Sequence, residues 1–305
     1  MTNAIEVRDL SYRFGKSFEI RDLALNVPTG SLFGFLGPNG AGKTTTIQLL
    51  LGLRRPRAGQ INVLGYSVPR EAPRVMQFTG YIPERPHLYP SLTVEEALRY
   101  HASFYPSWDW TRAEELLGQF ELDRTRRISR QSKGETGKLL TLIVLSQCPD
   151  LLVLDEPTDG LDPVVRRDVM TALLEYVSQH NATVFISSHL VHELERVCDW
   201  VGVMDRGRMV AEMPMQSFKN GIKRLRVTNA PALAEDAPFV LLSRQAGDGT
   251  AAPEVWVVRG WQAPMKQYFE GVGATLKEVV DLDLEEGFVE LLHTFRAARR
   301  WRGGI

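Results

Sequence analysis

Leu32-Phe33-Gly34-Phe35-Leu36-Gly37-Pro38-Asn39-Gly40-Ala41-Gly42-Lys43-Thr44-Thr45 reads as a buried strand, a glycine loop and a helix start. The loop fits G-x-x-x-x-G-K-[ST], the phosphate-cradling P-loop. Gly37, Gly40 and Gly42 give the backbone conformations closed to residues with a Cβ. The N–H groups of Asn39, Gly40, Ala41, Gly42 and Thr45 then point inward at phosphate oxygens. A helix starting near Lys43 adds roughly half a positive charge at its N-terminus. Lys43 brings a full charge to the β- and γ-phosphates, and the Thr44 hydroxyl is placed for Mg²⁺. An apolar-periodic helix follows, carrying Ile47, Leu50 and Leu51. This segment alone predicts a nucleoside triphosphate site.

Working outward, Ile5–Phe14 and Phe18–Val27 read as two strands joined by a Gly15-Lys16 turn, an antiparallel ribbon ahead of the P-loop strand. Phe14 is a candidate to stack on adenine. Tyr12 competes for that role, and a half-buried strand aromatic is the plain structural reading. Gln60–Tyr66 reads as an edge strand and Phe78–Ile82 as another, running into the proline-stiffened Pro83-Glu84-Arg85-Pro86. From about 91 to 146 the texture turns helical, with Thr93–Glu96 and Thr111–Glu114 as capping boxes. Between them lie Tyr100, Phe104, Tyr105, Trp108 and Trp110, read as the core of a small helical subdomain or else as a surface groove for a partner helix.

Lys138–Leu145 is a buried helix and Leu151–Leu154 a fully buried strand ending in Asp155-Glu156. A helix from Val164 and the strand Thr183–Ile186, ending in Ser187-Ser188-His189, come next. A short helix and a hairpin around Asp205–Arg208 close this part near residue 220. Strands alternating with helices predict an α/β fold with a parallel or mixed sheet. Residues 221–305 read as a second, small α+β unit: strands at Leu225–Val227 and Val255–Val258, a loop at 246–253, and an amphipathic helix at Leu284–Ala298. Arg296, Arg299, Arg300 and Arg302 form a basic tail, read as a solvated end or as a contact for anionic lipid or a membrane partner.

Ligands in open α/β sheets sit at the carboxyl ends of the strands. Asp155 is placed there to hold Mg²⁺ through water, and Glu156 to polarise an attacking water. His189, just past a strand, is placed for a γ-phosphate contact.

Taken in order, Gly37–Thr44, Leu151–Glu156, Pro157–Pro163 and Ser187–His189 resemble the signature set of an ABC-transporter ATPase subunit over residues 1 to about 217. The resemblance implies a P-loop ABC ATPase cassette at 1–220 with an N-terminal antiparallel β-ribbon and a helical subdomain at about 91–146, followed by an accessory domain at 221–305. It implies ATP and Mg²⁺ as cofactors, catalysis by Glu156, His189 and Lys43, and Glu84 as a metal-facing group. It implies a dimer with a second copy of the chain, two ATP molecules lying between the P-loop of one copy and the signature helix of the other. That segment falls on Gln131-Ser132-Lys133-Gly134-Glu135, with Ser132 and Gly134 facing phosphate. Asp162 lies in the loop at the dimer interface. The segment departs from the usual Leu-Ser-Gly-Gly-Gln, and Glu84 stands where glutamine is usual, which implies activity with altered metal or pH dependence. Phe104–Trp110, the Ser-Lys-Gly signature and Asp283–Phe288 resemble bacterial ABC-2-type exporter ATPases. The implied partner is an integral-membrane permease, at the cytoplasmic face of the bacterial inner membrane.

Composition fits. The 305 residues carry 36 Lys+Arg against 37 Asp+Glu, which removes the electrostatic footprint of a nucleic-acid binder. Cys148 and Cys198 make no metal-ligand spacing and no disulfide framework, as a reducing cytosol favours. The N-terminus lacks a signal-peptide pattern, and no apolar run approaches ~18–20 residues. A soluble ABC ATPase acting on DNA or ribosomes is the rival class. One cassette without sustained heptads disfavours it, and the absence of Asn-Lys-x-Asp disfavours a GTPase.

Overall fold

A computed structural model describes residues 2–15, 18–229, 237–246 and 253–302, without the side chains of 298–302. The ribbon forms as expected. β1 (Asn3–Phe14) and β2 (Phe18–Pro28) pair antiparallel, with Phe14 opposite Phe18. β4 (Ala58–Val63) pairs antiparallel with β1 on one side and with β5 (Tyr66–Val68) on the other. The expected edge strand is therefore interior, because the Leu64-Gly65 turn folds Tyr66–Val68 back onto it. Both turn residues have positive φ, which a two-residue hairpin requires.

Behind this sheet runs a second one of six strands. Its order is β10 (Arg208–Pro214), β9 (Trp200–Asp205), β3 (Leu32–Leu36), β8 (Thr183–Ser188), β7 (Leu151–Asp155) and β6 (Thr79–Ile82). All neighbours are parallel except β9 and β10. Strands covered on both faces need continuous apolar side chains, and all five residues of β7 are buried. One face packs on the ribbon sheet and α1 (Lys43–Leu50) through Ile5, Val7, Phe33, Phe35, Ile47 and Phe185. Each such side chain contributes about 1.5–3 kcal/mol on burial. The other face packs on α5 (Lys133–Leu145) and α6 (Pro163–His180) through Leu139, Leu142, Val169 and Leu173.

α2 (Ala72–Gln77) leads into β6. α3 (Val94–Ala102) starts at the Thr93–Glu96 capping box. The second expected box is displaced. α4 spans Trp110–Gln119, and its cap is Asp109, whose carboxylate accepts the Arg112 N–H at 3.0 Å. Thr111 lies inside the first turn, where its hydroxyl has no cap to make. The aromatic cluster is not the subdomain core. That core is aliphatic (Val94, Ala97, Leu98, Ala113, Leu116, Leu117), whereas Tyr100, Phe104 and Trp110 are 39%, 60% and 43% exposed. Tyr100 falls off the α3 face that carries Val94 and Leu98, and Phe104 follows the helix's C-cap at Ser103.

After α7 (Val191–Glu195) and α8 (Met215–Gly221) comes a four-stranded antiparallel sheet. Its order is β12 (Val240–Gln245), β13 (Glu254–Arg259), β11 (Ile222–Thr228) and β14 (Thr275–Asp281). It packs with α9 (Lys266–Gly271) around Trp256, Phe239 and Phe269. β12, β14 and α9 were not expected from sequence. The last helix, α10 (Leu284–Arg302), contacts β12 and also α7, α8 and β10. Leu284, Leu291 and Leu292 accordingly join the core cluster that holds Leu194, Met215 and Phe218. The loop expected at 246–253 lies mostly outside the described residues, as do the side chains of Arg299, Arg300 and Arg302.

The cap assignment is testable. Asp109→Ala is expected to cost about 0.5–2 kcal/mol in urea unfolding, and Thr111→Ala to stay within about 0.5 kcal/mol. Equal costs would refute the placement of the cap.

Candidate functional site

The loop after β3 forms the floor of a cleft of about 530 Å³. Asn39, Gly40, Ala41, Gly42, Lys43, Thr44 and Thr45 line it, with Phe14, Glu84, Glu156 and His189 around them. Gly40 and Gly42 have φ of 78° and 115°, the left-handed region that excludes most side chains. Gly37 serves differently: a Cβ there would lie 2.5 Å from the Met204 carbonyl. Its constraint is close approach to β9.

Parallel register brings the remaining groups together. Asp155 pairs with Ser187 and Leu36 with Ser188, so β3, β7 and β8 end at one edge. The Ser187 hydroxyl donates to Asp155 Oδ1 at 2.7 Å and accepts the Glu156 N–H at 3.2 Å. Glu156 has φ 51°, a costly conformation for a residue with a Cβ. The bend turns its carboxylate into the cleft. There Oε1 lies 3.1 Å from Lys43 Nζ, and Oε2 lies 2.9 Å from His189 Nδ1 and accepts the His189 N–H at 3.2 Å. Lys43 also donates to the Gly37 carbonyl at 2.7 Å. Lys43 and Glu156 are only 7% and 11% exposed, so the pair is electrostatically stronger than a surface one.

Asp155 lies beneath the cleft, fully buried. Burial pushes its carboxyl above the usual carboxylate range, opposed by hydrogen bonds from Ser187 and Thr44 and assisted by the charges of Glu84 and Glu156. Its Oδ2 has no hydrogen-bond partner. Tyr81, next to these groups, is pushed up to about 12 by burial first and then by the charges of Asp155 and Glu84.

Phe14 is exposed at the cleft mouth with the Arg54 guanidinium 5.0 Å over its ring. The same Arg54 donates from Nη1 to the Tyr12 hydroxyl at 2.9 Å, and Tyr12 does not line the cleft. Ser132, Gly134 and Asp162 do not line this cleft. Ser132 caps α5, accepting the Glu135 N–H at 3.1 Å, while Glu135 accepts the Ser132 N–H at 2.7 Å and pairs with Arg126 at 2.6 Å. The unusual acid is thus folded back on its own helix start. Its pKa is lowered, chiefly by the Ser132 N–H. Asp162 caps α6, accepting the Val164 and Val165 N–H groups at 3.0 and 3.1 Å.

Sequence reasoning missed Phe18, Asp159 and Ser187. Phe18 and Asp159 line the cleft, and Asp159 lies 3.8 Å from Lys133. Cross-strand pairing with Phe14 was the available signal for Phe18. For Ser187 it was the place directly opposite Asp155.

Residues 20–159 match the family model described as ABC transporter. The chain is 34% identical over 250 residues to the bacitracin transport ATP-binding protein BcrA of Bacillus licheniformis, covering 81% of each. It is 36% identical over 220 residues to the Nod factor export ATP-binding protein I of Burkholderia lata, covering 68% of this chain and 70% of that one. Among solved structures, an ATP binding subunit of an ABC transporter superposes with TM-score 0.65 at 30% identity, covering 72% of this chain and 92% of the other. A dimeric ATP-binding cassette bound to ADP and Pi shares the fold, with TM-score 0.62 at 19% identity over 69% of this chain and 98% of the other.

Ser187→Ala removes a hydrogen bond that favours ionised Asp155. An acid whose folded pKa is raised loses stability as pH climbs from its unfolded value through its folded one. The variant extends that loss. It is expected to be destabilised by about 1–3 kcal/mol where Asp155 is ionised, with the deficit shrinking as pH falls. Urea unfolding across pH reads this, and a pH-independent deficit would contradict it.

Proposed function

The chain belongs to the ABC transporter family of ATP-binding proteins, and on that premise we propose that it binds and hydrolyses ATP to drive an export permease. In this reading 1–220 is the nucleotide-binding cassette and 221–305 an accessory unit. The carrying observation is Glu156, held between Lys43 and His189 at the mouth of the P-loop. Phosphoryl transfer needs an oriented nucleophile and charge stabilisation more than covalent help. Glu156 orients the attacking water and accepts its proton. Lys43 and the N–H groups of 39–45 take the phosphates, with Phe14 against the adenine. His189 is held through Nδ1 by Glu156, and its other ring nitrogen contacts the γ-phosphate in this reading.

The donors fit Mg²⁺, which binds through one or two carboxylates, waters and substrate phosphates. Asp155 presents a buried oxygen without a partner. Thr44 lies beside the same carboxylate and helps hold its pKa down, and Glu84 lines the cleft. When bound, the ion neutralises charge on the transferring phosphoryl group.

Ser132 and Gly134, at the start of a 13-residue helix, lie away from their own cleft. That supports their use by a second copy, with Asp162 at the same interface. Tyr89, Tyr100 and Phe104 form an exposed aromatic patch with ring centroids 5.3 and 5.1 Å apart. Such a patch suits a helix of a permease. No helix among the described residues is long and apolar enough to cross a membrane, so attachment to the cytoplasmic face of the inner membrane rests on that partner.

Glu156→Gln is expected to keep ATP binding and slow hydrolysis by roughly 10²–10⁴. Near-normal turnover would place water activation elsewhere. Glu84→Gln removes a charge that raises the Asp155 pKa, so the acid limb of the ATPase pH profile is expected to move to lower pH. An unmoved limb would remove Glu84 from the site's electrostatics.

A further inference from the structure

Asp205 ends β9 and is almost completely buried, its side chain 2% exposed. Two hydrogen bonds hold its carboxylate. Both come from Arg296 on α10: Nε to Oδ2 and Nη2 to Oδ1, each 2.9 Å. This is the bidentate fork that guanidinium makes with carboxylate. The partners are 91 residues apart and unequally placed, because Arg296 is 36% exposed.

The turn that Asp205 begins touches the P-loop. Gly207 N–H donates to the Ala41 carbonyl at 2.8 Å, and Arg21 N–H to the Gly207 carbonyl at 3.1 Å. One residue earlier, the Met204 carbonyl is the atom that a Cβ on Gly37 would strike. The Met204 sulfur accepts from the Thr46 hydroxyl at 3.7 Å. The phosphate loop from Gly37 to Thr46 therefore rests on the segment Met204–Gly207. The guanidinium that grips Asp205 in that segment comes from α10.

We propose that Arg296 is a positioning residue for the nucleotide: by neutralising Asp205 it holds the 204–207 turn in the shape that supports the P-loop, and so ties nucleotide affinity to the seating of α10. The proposal rests on the nucleotide reading of the cleft. Removing Arg296 leaves a buried carboxylate without compensation beneath a loop that must accept an anion, which is the costly half of breaking a buried pair. Removing Asp205 leaves an arginine that can turn to solvent. The two truncations are therefore unequal, and an ordinary loss of contact would not make them so.

The test uses the full-length chain and its ATPase activity, with ATP affinity measured separately on the hydrolysis-slowed Glu156→Gln background. Arg296→Ala is expected to weaken ATP affinity and raise KM by about 3- to 30-fold, the range of indirect couplings, with kcat within about twofold. Arg296→Lys, which keeps the charge, is expected to recover most of the affinity. Asp205→Asn combined with Arg296→Ala is expected to bind more tightly than Arg296→Ala alone. Affinity of Arg296→Ala within twofold of the parent, or a double variant no better than it, overturns the proposal. So does a parallel fall of kcat and folded fraction in urea unfolding. Should Arg296→Ala not fold, Arg296→Lys and the double variant decide by the same affinity ranking. A parent chain that binds no ATP would overturn the nucleotide reading instead.

Discussion

Everything at the cleft depends on the in-register parallel pairing of β3, β8 and β7. Leu36 opposite Ser188 and Asp155 opposite Ser187 put the phosphate loop, the two acids and the histidine at one sheet edge. A slip of one residue would move each group by about 3.3 Å and turn it to the other face. The register is protected because both faces of these strands are buried, so a slip would disturb two cores together. Phe185 is the common element, with its ring 5.6 Å from Phe33 and 5.1 Å from Phe35. Packing energy spent far from the chemistry thus places Ser187 where it holds Asp155 with its hydroxyl and Glu156 through the chain.

The same edge gathers charge that the fold does not balance by itself. Glu84, Asp155 and Glu156 face one lysine side chain and the N-terminus of an eight-residue helix. Burial first, and then the neighbouring carboxylates, raise the proton affinity of Asp155 and Tyr81. Polyphosphate would add further negative charge. This is the physical reason for proposing a divalent cation there. Lys43 is held there by two acceptors, the Gly37 carbonyl and Glu156.

Much of this was legible in the sequence because its signals are local. A glycine loop between a strand and a helix identifies itself within fourteen residues, and an apolar run ending in Asp155-Glu156 identifies a strand end. Errors arose where similar residues compete for one role. Asp109 and Thr111 are both fair caps, and tertiary contacts chose the former. Tyr100 and Phe104 look like core by composition; helical phase places the first outside, and the second lies past the end of α3. β12 and β14 mix charged residues with short apolar stretches, so periodicity was weak. The Arg296–Asp205 pair was beyond any window, since nothing near either residue announces the other, and Arg296 read as part of a basic tail.

That pair also sets an order of events during synthesis. Chains grow at about 5–20 residues per second, and domains tend to fold as they emerge. With 91 residues between the partners, Asp205 is made about 5–18 s before its counter-ion. Over that interval Asp205 lacks the guanidinium of Arg296. The turn that touches the phosphate loop thus completes its ion pair only once α10 has been made.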